Sequence, residues 1–148
     1  MRLDKGSTEL LSAALRHIQD AEHLADSSHR NASPDQAYHL AGFGPECARK
    51  ACLSIRYLDQ AIGHQLGDGA ETALDFALAI EPTPSRYVPR GIGTSKPALA
   101  SWSEQARYRA TGTHAVGAAL IVREARAVVD AVVFALWTDG CLPVDFEW

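Results

Sequence analysis

The sequence predicts an all-α fold, an up-and-down bundle of four to five helices in a single domain over residues 1–148. Three observations carry this. Apolar residues recur at spacings of three and four along four stretches, the period of a helix with one buried face. Aromatic residues make up 7% of the chain while Ala and Leu recur, a composition suited to closely packed helices. A length of 148 residues with 47% hydrophobic content lets roughly 70% of the extended surface be buried in one core, with no room for a second domain of comparable size.

The first helix is expected over about 7–26, with Leu11, Ala14, Leu15, Ile18, Ala21, Leu24 and Ala25 as its apolar stripe. The second opens at Ser33-Pro34-Asp35-Gln36, where Ser33 and Gln36 can form a capping box and Pro34 suits the first helical position. Its stripe of Ala37, Ala41, Gly44, Ala48, Ala51, Ile55, Leu58 and Ile62 carries it to about Gly63, and Pro45, which lacks a backbone donor, leads to an expected kink near Ala41 to Gly44. Glu46 and Lys50, four apart in the favoured order, add a modest pair. A third helix over about 70–80 is stopped by Pro82 and Pro84. The last begins near Thr113 and ends before Asp139-Gly140. Its second half is apolar on nearly every face, as expected of a central helix or of one covered by a second subunit.

Between the third and last helices lies a loop at 81–101, rich in Pro and Gly and basic. Residues 86–109 hold Arg86, Arg90, Lys96, Arg107 and Arg109 against Glu104 alone, a net of +4, while the whole chain carries −4. Tyr87, Trp102 and Tyr108 are interleaved with these cations. Cations with aromatics can hold a phosphate chain and stack unpaired bases, so Arg86, Arg90, Lys96 and Tyr108 are candidate RNA-binding residues. The alternative is a loop whose cations pair with the acidic helices. The overall acidity argues against a protein coated in nucleic-acid-binding charge.

No run approaches the roughly 18 apolar residues of a membrane span, and the N-terminus has no apolar signal core. Three cysteines, Cys47, Cys52 and Cys141, with no Cys-x-x-Cys pair, fit reduced thiols in a cytoplasmic protein and give zinc little support. His39, Glu46 and Cys47 read as packing before they read as a metal site, and no cofactor is expected.

The densest chemistry lies in Arg107-Tyr108-Arg109-Ala110-Thr111-Gly112-Thr113-His114. If Thr113 caps the last helix, the helix dipole disfavours a charged imidazole at His114. A neutral imidazole can take a proton from a ribose 2′-hydroxyl, and a guanidinium from Arg109 or Arg107 can hold the phosphate. The alternative is a histidine and two arginines that serve capping and solvation.

Asp35-Gln36-Ala37-Tyr38-His39-Leu40-Ala41-Gly42-Phe43 and Glu46-Cys47-Ala48-Arg49-Lys50-Ala51 are similar to the second helix of HEPN (higher-eukaryote and prokaryote nucleotide-binding) domains. Trp102 through Arg107-Tyr108, followed by an Ala-rich last helix, resembles one prokaryotic branch of that family. The resemblance implies a helical, dimeric domain of the kind found in toxin–antitoxin and defence systems. It also implies metal-independent endoribonuclease activity, with an Arg followed after four to six residues by a His. Both Arg109 and Arg107 fit that spacing to His114, although Tyr108 and Ala110 stand where active members place a polar residue. The alternative that the family offers is a non-catalytic module binding RNA, a nucleotide or a protein partner such as a nucleotidyltransferase antitoxin. A dimeric structural subunit with no nucleic-acid role is the remaining reading.

Overall fold

The computed structural model describes residues 1–55, 60 and 62–148. Helix α1 spans Lys5–Ala25, α2 spans Pro34–Ala51 and α3 spans Asp68–Ile80. A 3₁₀ turn at Thr83–Arg86, two one-turn helices α4 (Ile92–Ser95) and α5 (Pro97–Ala100), and a 3₁₀ turn at Glu104–Tyr108 follow, before α6 at Ala118–Thr138. The helical expectation holds: the described residues contain no strand, only an isolated bridge between Gln65 and Ser103. No helix among them is long and apolar enough to cross a membrane.

Helices α1, α2 and α6 pack on one another to form the centre of the bundle. Leu11, Leu15 and Ile18 of α1 face Ala41, Ala48 and Ala51 of α2 and Val129, Val133 and Leu136 of α6 within one core. The small residues of α2 let the other two helices approach closely, and at Gly44 an added methyl would press on Ile18. Arg126 of α6 clasps Glu22 of α1 with two bonds, Nε to Oε1 at 2.9 Å and Nη2 to Oε2 at 2.8 Å. Helix α1 starts at Asp4, whose carboxylate accepts the Ser7 amide at 2.7 Å.

Three sequence expectations are corrected. Ser33 stands at the start of α2, as expected, but makes no side-chain cap, while the carboxylate of Asp35 in the same turn accepts distant backbone amides. Helix α2 ends at Ala51 instead of running to Gly63. Its end is fixed by Glu81, the residue after α3, whose carboxylate accepts the amides of Ser54 (3.0 and 3.1 Å) and Ile55 (3.2 Å) and the Ser54 hydroxyl (2.6 Å). Leu58 of the expected stripe lies outside the described residues. Finally, α6 begins at Ala118 and not at Thr113. Residues 111–117 form successive turns, so His114 is not in the first turn of α6 and the dipole argument does not apply to it.

The 81–101 loop packs down. Pro84, Tyr87, Val88, Ile92 and Leu99 are buried. Arg49 of α2, fully buried, donates from Nε (3.2 Å) and Nη2 (3.0 Å) to the Pro89 carbonyl and from Nη2 to Glu71 of α3. The other oxygen of Glu71 accepts the Gly91 amide at 3.2 Å. Tyr87 donates to Asp139 at 2.6 Å, and Glu124 of α6 accepts the Leu99 amide at 2.9 Å. Trp102, 2% exposed, then lies flat on Gly42 of α2 and donates from Nε1 to the His39 carbonyl at 3.0 Å. A methyl at position 42 would collide with the indole. Gly42→Ala is therefore expected to destabilise the fold by about 1–3 kcal/mol, read as a lowered midpoint in thermal or urea unfolding. An unchanged midpoint would show that Trp102 does not need that glycine.

Candidate functional site

Asp35, in the first turn of α2, organises the segment that carries His114. Its Oδ2 accepts the Gly112 amide at 2.6 Å and its Oδ1 accepts the His114 amide at 2.9 Å. These two bonds, Gly112 first, hold the Asp35 carboxyl below the usual carboxylate range. Gly112 turns the chain there with φ +89°, a left-handed conformation that favours glycine. The chain so bent lays the His114 ring on Tyr38, centroids 3.9 Å apart and planes 11° from parallel. The His114 ring is half-buried, and its Nε2 is closed to solvent with no hydrogen-bond partner among the described residues.

Arg109 leaves the 3₁₀ turn at Glu104–Tyr108 and lines the same small pocket as His114. The pocket measures about 80 Å³ and is walled by Tyr38, Ser101, Ser103, Gln105, Arg109 and His114. It is well below the roughly 300 Å³ of sites that enclose a drug-sized ligand. A guanidinium, an imidazole and two hydroxyls around so small a space can engage one phosphate-sized group, with the remainder of a ligand outside. The Trp102 anchor on Gly42 and the Asp35 clasp fix the two ends of the segment carrying Arg109 and His114, so α2 is the platform for both residues.

The other predicted residues do not converge there. The Arg107 guanidinium lies over its neighbour Tyr108, 4.8 Å from the ring centroid, and both side chains are exposed outside the pocket. Arg86 pairs with Asp139 at 2.9 Å. Arg90 pairs with Asp75 and lies 3.9 Å from Glu71. Lys96, half-buried before α5, makes no ion pair with the described residues. Two of the three loop cations are thus held by acidic side chains of α3 and the end of α6, as the alternative reading of the loop anticipates.

Two groups escaped sequence reading. One is Arg49, whose burial with Glu71 anchors the loop. The other is a pair of histidines on the Phe43 ring, His17 of α1 with centroids 5.6 Å apart and His39 of α2 at 5.0 Å. The four-residue step from His39 to Phe43 was the available signal, but nothing in the sequence brings His17 to it. The cysteines are poor nucleophiles: burial pushes the Cys47 thiol up to about 11 and the Cys52 thiol up to about 12, so both stay protonated at neutral pH. Glu46, 4% exposed, is engaged by Lys50 at 2.7 Å and by His64 Nδ1 at 2.9 Å. Among the described residues no three His, Cys, Asp or Glu side chains cluster as metal ligands would.

No family model, no curated protein and no solved structure matches the chain.

Proposed function

We propose that the chain is a metal-independent endoribonuclease of HEPN type, acting as a toxin or defence effector. The observation that carries this reading is the shared pocket of Arg109 and His114. In the reaction a neutral imidazole accepts the proton of a ribose 2′-hydroxyl, and the 2′-oxygen forms a bond to the adjacent phosphorus. The bond from phosphorus to the 5′-oxygen breaks, and that oxygen takes a proton from an imidazolium. The products are a 2′,3′-cyclic phosphate and a 5′-hydroxyl. The Arg109 guanidinium neutralises the charge that develops on the non-bridging oxygens. No redox partner and no metal is needed for the balance. Arg107 and Tyr108 lie at the rim, where RNA would approach. Lys96, with no ion pair among the described residues, is the loop cation left to steer RNA, with Arg86 and Arg90 contributing charge already screened by their acidic partners.

The family mechanism pairs two copies of the motif across a homodimer. The outer face of α6 supports such pairing, since Leu120, Phe134 and Trp137 are exposed there while Ile121, Val129, Val133 and Leu136 on the inner side are buried. The second reading is a non-catalytic module that binds RNA, a nucleotide or a protein partner such as a nucleotidyltransferase antitoxin. The closure of His114 Nε2 against solvent favours it.

The experiment incubates the purified protein with an end-labelled single-stranded RNA in excess EDTA. Cleavage is expected to persist, and an all-deoxy strand of the same sequence is expected to remain intact. Activity abolished by EDTA, or cutting of the deoxy strand, contradicts the proposed chemistry. Binding of RNA without cleavage identifies the non-catalytic module.

A further inference from the structure

The amides that fix the His114 segment already hold an anion, and it belongs to the chain itself. Gly112 and His114 donate two backbone N–H groups to one carboxylate, that of Asp35, at 2.6 and 2.9 Å. The Asp35 side chain makes no other hydrogen bond or ion pair among the described residues. Beside this turn, Arg109 and His114 line the phosphate-sized pocket, and no carboxylate is among the side chains that wall it. Glu104, the one acid of the neighbouring 3₁₀ turn, accepts from Gln105 Nε2 at 3.1 Å. His114 Nε2, closed to solvent without a hydrogen-bond partner among the described residues, is a polar atom that a bound oxygen would satisfy.

Little else holds the segment closed. Residues 109–113, 115 and 116 are exposed, Val116 at 99%, so apart from the stack of His114 on Tyr38 it buries little apolar surface. Gly112 bends the chain at φ +89°, and α6 starts only at Ala118. Asp35 also has a second resting place. It lies in the first turn of α2, where Ser33 leaves the helix amides without a side-chain cap and the helix dipole favours an anion. The Gly112 and His114 amides hold the Asp35 carboxyl below its usual range, so it stays charged at working pH and gives way to a competing anion, not to a proton.

We infer that Asp35 is a built-in competitor of substrate: its carboxylate occupies the two amides, of Gly112 and His114, that bind a backbone phosphate of single-stranded RNA beside Arg109. The inference deepens the nuclease reading and rests on it for the identity of the ligand. Backbone N–H groups of one turn that converge on a single anion make the kind of cradle that phosphates use. The carboxylate shares the sign of a phosphate, so while it stays there it also repels one from the pocket. RNA must open the clasp to bind, and its apparent affinity is reduced by the fraction of molecules that are open. A carboxylate held by even one charge-assisted bond leaves about one molecule in ten or fewer open.

The test uses a fluorescein-labelled single-stranded RNA with every 2′-hydroxyl methylated, which cannot be cleaved, and follows anisotropy at constant ionic strength and neutral pH. Asp35→Asn, which keeps one acceptor oxygen but loses the charge, is expected to bind this RNA at least about tenfold more tightly than the wild type. Asp145→Asn removes the same charge from the exposed segment after α6, where Asp145 makes no ion pair with the described residues, and is expected to change affinity by less than about twofold. An Asp35→Asn protein that binds no more tightly, or an equal gain in Asp145→Asn, would overturn the competition. NMR of the wild type, which needs no variant to fold, should show the Gly112 and His114 amides and the Asp35 carboxyl carbon shift together as the RNA is added. Amides unmoved at saturation would also overturn it. Inorganic phosphate producing the same shifts at equal phosphate concentration would assign the amides to free phosphate and remove their role in RNA binding. Because the probe is inert, the two readings fail separately. Tighter binding by Asp35→Asn with no cutting of ordinary RNA sinks the nuclease and keeps the competitor, and cutting with affinity indifferent to Asp35→Asn does the reverse.

Discussion

His114→Ala is expected to lower the single-turnover rate of RNA cleavage by about 10²- to 10⁴-fold, the usual contribution of a positioned general base. The fold should survive, because the clasp from Asp35 reaches the His114 backbone amide and does not depend on the ring. The ring is also only half-buried, so its loss leaves no large void in the core. Arg109→Ala is expected to cost about 10²- to 10³-fold, in the range of a lost donor to a developing oxyanion. Arg107→Ala should cost far less, since that guanidinium lies on Tyr108 outside the pocket. The double variant at 109 and 114 should lose less than the product of the single losses, because groups that act together on one phosphate are not additive. Circular dichroism checks the fold of each variant. A His114→Ala protein that cuts at the wild-type rate would remove the imidazole from the chemistry.

The largest effect on stability is expected at Glu71. Arg49 is fully buried, and its charge is met by Glu71 and the Pro89 carbonyl. Burial depresses the proton affinity of the Arg49 guanidinium and Glu71 opposes that shift, yet arginine remains charged throughout the working pH range. Glu71→Ala therefore leaves a buried cation with only a carbonyl for company, a change that costs about 3–5 kcal/mol in comparable buried pairs. It also removes the acceptor of the Gly91 amide. For a chain of this length the melting temperature should fall by roughly 10 °C. Glu71→Gln, which keeps one acceptor oxygen but turns its amide nitrogen towards the other donor, should recover only part of the loss. A Glu71→Ala protein within about 1 kcal/mol of wild type would mean that water reaches Arg49 and the loop is not held by this pair.

The helical elements were legible because each announces itself within its own segment. The stripe from Leu11 to Ala21 of α1 and the run that Pro82 ends in α3 need only the period of three and four. The misread ends are those fixed by residues far along the chain. Asp35 is taken up by amides 77 and 79 positions away, which holds the turns at 111–117 against α2, so α6 begins at Ala118 where the local pattern points to Thr113. Glu81 stops α2 from 26 and 27 positions away, at amides whose own neighbourhood continues the apolar pattern.

The candidate site was legible in part for the same reason. The spacing from Arg109 to His114 is local, and the two do line one pocket. Tyr38, on which the His114 ring rests, stood in the segment quoted for its likeness to a known second helix, but its contact with His114 is tertiary. The basic character of the 81–101 loop was plain, whereas its anchoring was not. Tyr87, Val88, Ile92 and Leu99 were the sequence signal that it packs inward, and the pairing of Arg86 with Asp139 and of Arg90 with Asp75 follows from that packing. Arg49 could not be picked out, because one position of helical phase separates a solvated arginine from one buried beside Ala48.

The measurement that bears most directly on the role of Arg109 and His114 is mass spectrometry of the ends left on RNA cut in EDTA by the wild-type protein and by His114→Ala. Attack by the 2′-oxygen should leave 2′,3′-cyclic phosphate and 5′-hydroxyl ends with the wild type and almost none with the variant. Wild-type products bearing 5′-phosphate ends, or the same cyclic ends formed as fast by His114→Ala, would contradict that role.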